Sequence, residues 1–172
     1  MDLITDYITG KKMADTGAEM HRQALERYLV ENRGYAHGDV GVDVPFSFPV
    51  EDEVYHATVD LLISVEGRPL MAVKCAAGSL GSREREILAA ARLALDTQIP
   101  YACASDGKTA IVMDTLSGKK IGEGLDRIPS RKEALALLSQ GAPQPLTENR
   151  RRKERLIFRS YDSMNVNVRR NI

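Results

Sequence analysis

Apolar residues recur at helical spacing from about Thr16 to Arg33, where Met20, Ala24, Leu25, Tyr28 and Leu29 form one stripe and Gly34 ends the run. Thr16 followed by Glu19 has the form of a capping box. The spacing predicts an amphipathic helix with a charged outer face. In the next stretch Val40, Val42, Val44, Phe46 and Phe48 alternate with small or polar residues, the period of a half-buried strand. Pro45 and Pro49 place that strand at a sheet edge. Residues 54–74 hold two runs rich in Val, Leu and Ile that meet at Glu66-Gly67, which predicts a β-hairpin.

The register of this hairpin decides which side chains share a face, because a slip of one residue turns a strand over. A two-residue loop at Glu66-Gly67 pairs Val65 with Arg68 and sets Asp60 and Lys74 on opposite faces. A three-residue loop from Val65 to Gly67 pairs Ser64 with Arg68 and Asp60 with Ala72, leaving Lys74 diagonally beside Asp60. The longer loop is expected, since Glu-Gly is not among the favoured two-residue dipeptides; the shorter one stays open.

Beyond Lys74 the loop CAAGSLG leads into a second helix, with Ser82 as its expected N-cap and Ile87, Leu88, Ala91 and Leu95 as its apolar stripe. The loop could hold a phosphate through backbone N–H groups. It lacks a dinucleotide or P-loop pattern, so a plain strand-to-helix connection is the favoured reading. IPYACAS reads as a buried strand, DGKT as a turn, AIVMDT as its hairpin partner and SGKK as another turn. Ser130 and Glu133 repeat the capping-box pattern and open a short helix closed by Gly141. This order predicts an α/β domain over residues 1–142, with a central mixed sheet flanked by helices. Pro143 and Pro145 mark a linker to a C-terminal arm, 143–172.

Charge sharpens that division. The 24 Lys and Arg balance 24 Asp and Glu over 172 residues, which argues against a uniformly basic nucleic-acid binder. The neutral total is a cancellation: residues 147–172 carry a net +5 and the body a net −5. Within the arm, Arg150, Arg151, Arg152, Lys153 and Arg155 are candidate contacts for nucleic-acid phosphates or for a partner. Leu156, Ile157, Phe158 and Tyr161 are too apolar to float free, so the arm is expected to dock on the body or on a second copy as a homodimer. Cys75 and Cys103 do not make a disulfide framework, and His21, His37 and His56 show no ligand spacing. No secretory signal or membrane span is read, so a cytoplasmic protein without membrane contact is expected.

Asp60 lies within an apolar strand, and a half-buried carboxylate requires a partner. Lys74 can supply one, either as a plain ion pair or as half of a divalent-metal site for phosphodiester cleavage. That chemistry needs two carboxylates to hold Mg²⁺ and a lysine to position the attacking water. Two residues before Lys74, where the second acid belongs, stands Ala72.

These residues carry a resemblance. The helix containing Glu19 and Arg22-Gln23, then Gly34-Tyr35, VDLLIS around Asp60, PLMAVK ending in Lys74, and SDGKTA downstream are similar to the N-terminal nuclease-like domain of type I restriction enzyme R subunits. The likeness spans roughly residues 15 to 120 and implies the PD-(D/E)XK nuclease superfamily, with its restriction-endonuclease-like core sheet and a metal site at the hairpin bend. It implies that Asp60 is the first metal-binding acid and Lys74 the motif lysine. Glu19 or Glu26 matches the acid of the first helix. The second acid is missing at Ala72, and in some members it has moved to the following helix, where Glu84 and Glu86 stand. Residues two apart do not share a helix face, so only one can point inward, and Glu86 is the better placed. A solvated helix start accounts for both acids equally well. The expected activity is binding or Mg²⁺-dependent hydrolysis of DNA, with Asp60 and Glu86 as metal ligands; the alternative is a non-catalytic interaction or dimerisation module on the same fold.

Overall fold

The computed structural model describes residues 2–141 and 144–170, the side chains of 165–170 excepted. Part of the expected linker, Pro143, lies outside the described residues. Helix α1 spans Gly17–Arg33 and stops at Gly34, whose φ of 81° is left-handed, with its N–H closing on the Leu29 carbonyl. The capping box at its start does not form: Thr16 makes no side-chain cap bond. The Glu19 carboxylate is instead held by Arg22 at 2.8 Å.

Six strands form the central sheet: β3 (Val40–Val50), β4 (Glu53–Val65), β5 (Arg68–Cys75), β6 (Tyr101–Ser105), β7 (Ala110–Asp114) and β8 (Lys120–Glu123). They lie in sequence order, antiparallel throughout except for the parallel β5–β6 pair. A parallel neighbour requires a crossover, and helix α2 (Gly81–Leu93) supplies it. Its cap is Leu80 rather than Ser82, because the Ser82 hydroxyl turns back to donate to the Ser79 carbonyl. Helix α3 (Arg131–Leu138) is capped as read, with Ser130 Oγ accepting from the Glu133 N–H. The arm forms helix α4, Glu148–Arg170.

The helices sit in two layers. On one face α2 and α4 pack with Phe46, Phe48, Val59, Ala72, Ala102 and Ala104. On the other, α1 and α3 bury Leu25, Leu29, Ala134 and Leu138 against Leu61, Ile63, Met71 and Val73. This is the expected mixed α/β architecture, consistent with a restriction-endonuclease-like fold. Phe158 fixes α4 to the body: it is 2% exposed, and its ring lies 5.2 Å from Phe46, 5.9 Å from Phe48 and 6.3 Å from Tyr55. Burying a phenylalanine side chain contributes about 1.5–3 kcal/mol. No described helix is long and apolar enough to cross a membrane.

The hairpin differs from its expected register. Val65 pairs with Arg68, so the loop is the two-residue Glu66-Gly67. Both residues have positive φ, 52° and 74°, as a type I′ turn requires. The two-residue loop by itself would part Asp60 from Lys74. An irregularity between Ile63 and Ser64 then shifts the ladder, so that Ile63 pairs with Met71, Leu62 with Ala72 and Leu61 with Val73. Extended by one residue, this register sets Asp60 against Lys74, whereas the expected partner, Ala72, faces Leu62. A bulge, not the loop, brings the two groups together.

Two elements were not signalled. Residues after the SGKK turn add the edge strand β8, and a separate hairpin, β1 (Leu3–Thr5) with β2 (Lys12–Ala14), lies against α1. Strands of three or four residues carry too few positions to show a period.

Candidate active site

Asp60 stands at a bend of the sheet. Asp43, beside it on β3, has a left-handed φ of 51°. On one side of this point Val42 and Leu61 face the α1 layer; on the other Val44 and Val59 face the α2–α4 layer. Lys74, at the end of β5, is 7% exposed, and its Nζ lies 3.8 Å from Asp60 Oδ2 and 3.8 Å from Glu86 Oε1. Asp60 Oδ2 also accepts the Cys75 backbone N–H at 2.8 Å. From α2, Arg83 stands 3.8 Å from the second Glu86 oxygen. Burial pushes the Glu86 carboxyl above its ordinary range, and the charges of Asp162 and Asp60 add to the rise against Lys74 and Arg83.

The other expected acids lie elsewhere. Glu84 turns outward to Lys120, 3.8 Å away across the sheet edge. Glu19 holds Arg22, which also reaches Asp43 at 2.7 Å. Glu26 is fully buried and faces Asp6 of the N-terminal hairpin. The structure thus joins Asp60, Lys74 and Glu86, and leaves Glu19, Glu26 and Glu84 in other networks.

Helix α4 adds residues that the charge run concealed. Asp162 accepts the Tyr55 hydroxyl and is close enough to raise Glu86. Glu154 sits inside the basic run, 6% exposed, with one oxygen 2.7 Å from both Arg85 and Arg92 of α2. Burial alone would raise its carboxyl; the bonds from the two arginines hold it below the ordinary range. The available signal was spacing, since Glu154 and Phe158 stand four apart on one helix face. Of the arm's cations, Arg151 donates to the Leu93 carbonyl, and Arg155 and Arg159 pair with Glu148 and Glu51. Arg150, Arg152 and Lys153 point to solvent.

A divalent ion needs several oxygen ligands converging at about 2.0–2.6 Å. Ala72, two residues before Lys74, puts a wholly buried methyl group in the α2–α4 layer. Among the described residues no group of three or more His, Cys, Asp or Glu is arranged to hold a metal ion. The cation between Asp60 and Glu86 is the Lys74 ammonium itself. Asp60 and Glu86 are the two carboxylates that the expected site requires, and they meet at this lysine.

Residues 17–129, from the start of α1 to just before α3, match the family model described as type I restriction enzyme R protein N terminus (HSDR_N). No curated protein and no solved structure matches the chain. The β1–β2 hairpin, α3 and α4 lie outside the matched stretch. The match takes in Asp60, Lys74, Ala72 and Glu86 together with all six strands of the central sheet, and on it the chain belongs to the family of type I restriction enzyme R protein N termini.

Proposed function

We propose that this chain is a DNA-binding module on a PD-(D/E)XK nuclease fold whose site has become structural, so that it holds DNA without cutting it. The observation that carries this reading is Lys74, nearly buried and clamped between Asp60 and Glu86, with the methyl group of Ala72 two residues before it. A water-positioning lysine must be open to the phosphate; this one balances two carboxylates. DNA contact is assigned to Arg150, Arg152 and Lys153, exposed on α4 while Arg151 and Arg159 are engaged by the body. Each phosphate neutralised releases counterions, so binding weakens with salt at a slope of about −0.9 per contact. A homodimer is not needed to bury the arm, because Phe158 packs into its own body.

Two measurements test the proposal. Wild type and Asp60→Ala are compared in a supercoiled-plasmid nicking assay with Mg²⁺ and with Mn²⁺. No metal-dependent nicking is expected from either, and nicking by wild type that Asp60→Ala abolishes would overturn the loss of catalysis. Fluorescence anisotropy with duplex DNA over a salt series is expected to show binding whose salt slope falls by about 3 in an Arg150→Glu, Arg152→Glu, Lys153→Glu variant. An unchanged slope, or no binding by wild type, refutes the assignment to α4.

A further inference from the structure

A second pair of acids is buried away from Lys74. Glu26 of α1 is 0% exposed and Asp6, at the β1–β2 turn, is 1% exposed. Asp6 accepts the N–H groups of Ile8 and Thr9, the Thr9 hydroxyl and the Gln23 amide. Neither Glu26 oxygen meets a donor from the protein. Two buried carboxylates in contact cannot both be ionised at low cost, so the proton that joins them sits on Glu26 and is donated to Asp6. Burial, the bond to Asp6 and the Asp6 charge raise the Glu26 carboxyl to about 8. The bonds it receives keep Asp6 below the ordinary range against its own burial.

This pair is where the hairpin meets the body. The Tyr7 N–H donates to Gln23 Oε1 at 2.6 Å, the Gln23 amide donates to Asp6 Oδ2 at 2.9 Å, and Arg22 reaches the Met13 sulfur at 3.2 Å. The Tyr7 ring lies 5.0 Å from that of His37, tilted by 34°, and sits under Arg27. The other charged or titratable groups acting on Glu26 are Arg22 and Glu19 of α1; Arg22 is also tied to Asp43 of β3, and the Cys75 thiol of β5 lies nearby.

We propose that the β1–β2 hairpin is a proton-controlled latch, held on α1 while Asp6 and Glu26 share a proton and released when that proton is lost. With Glu26 ionised, two negative charges face each other without water. The least costly relief is to lift the hairpin, which hydrates both and uncovers Arg22 and Gln23. The inference is independent of the reading of the Lys74 cluster and of DNA binding.

Hydrogen exchange of residues 3–14 in the full chain tests it, normalised at each pH to an unstructured peptide, with Glu26→Gln and Asp6→Asn alongside wild type. In wild type the opening constant is expected to be flat below about pH 4.5, to rise up to about tenfold per pH unit from there to about 8 as the open state gives up the proton that the closed pair keeps, and to level off above about 8. In Glu26→Gln a neutral amide donates to Asp6, and the pH dependence is expected to vanish. Asp6→Asn removes the repulsion and shrinks the step. Wild-type protection that stays flat between about pH 5 and 8 overturns the latch, even if both variants fail to fold. So does an undiminished step in Glu26→Gln.

Discussion

Replacing Lys74 by methionine keeps most of the side-chain volume and removes the cation between two nearly buried carboxylates. The side chains of Lys74, Asp60 and Glu86 are 9%, 15% and 2% exposed. At 3.8 Å and an effective dielectric constant near 20, each ion pair is worth about 4 kcal/mol of attraction before the cost of removing the charges from water. Removing one partner of such a cluster leaves buried charge uncompensated, and Lys74→Met should therefore cost about 3–5 kcal/mol at pH 7.5. For a chain of this size that is a fall in Tm of roughly 6–20 °C. The loss should shrink as the pH falls towards 5. The Glu86 carboxyl is already raised, so the folded state takes up a proton there more readily than the unfolded chain, and a protonated Glu86 needs no cation. Urea unfolding followed by circular dichroism at pH 7.5 and pH 5 measures both effects. The variant Asp60→Asn, Lys74→Met, Glu86→Gln, which removes all three charges, should recover part of the loss. A Lys74→Met protein within about 1 kcal/mol of wild type, or more stable than it, would refute the structural role. Relief on losing a strained cation is what a site kept for catalysis shows.

Three further substitutions probe the fold around the site. Phe158→Ala empties the aromatic pocket between β3 and α4 and should cost about 3–5 kcal/mol, with faster exchange of α4 amides; exchange confined to the body would contradict it. Glu154→Ala strands Arg85 and Arg92 against each other and should cost about 3–5 kcal/mol, a loss that high salt moderates by screening the two cations. Gly107→Ala tests a close approach: φ is +83° and an added Cβ would meet the His21 carbonyl oxygen at 2.6 Å. The strain should cost about 1–3 kcal/mol, and an unchanged Tm would show that α1 and the 106–109 turn can part freely.

Much of the framework was legible in local pattern. The stripe of α1, the alternation of β3, the two runs meeting at Glu66-Gly67 and the Ser130 cap each follow from interactions within a few residues. The β1–β2 hairpin and β8 were missed because such short strands are made by what they rest on. Ser82 had the right chemistry for a cap, but the turn before α2 begins one step earlier and uses its hydroxyl elsewhere.

For the site, the sequence by itself determined the cast: an acid in an apolar strand, a lysine on the next, an alanine two residues before that lysine, and a choice between Glu84 and Glu86. It also determined that the basic arm carried apolar residues that must be covered. Only the tertiary structure decided the pairings. A one-residue shift at Ile63 and Ser64 outweighs the loop length in setting Asp60 against Lys74, because side-chain direction alternates with each residue. The direction of α2 turns Glu86 inward and Glu84 out to Lys120, and the docking of α4 brings Asp162 and Glu154 from a distant stretch of chain. Charges act through space over a few ångströms, so their partners are chosen by packing, which local sequence pattern does not encode.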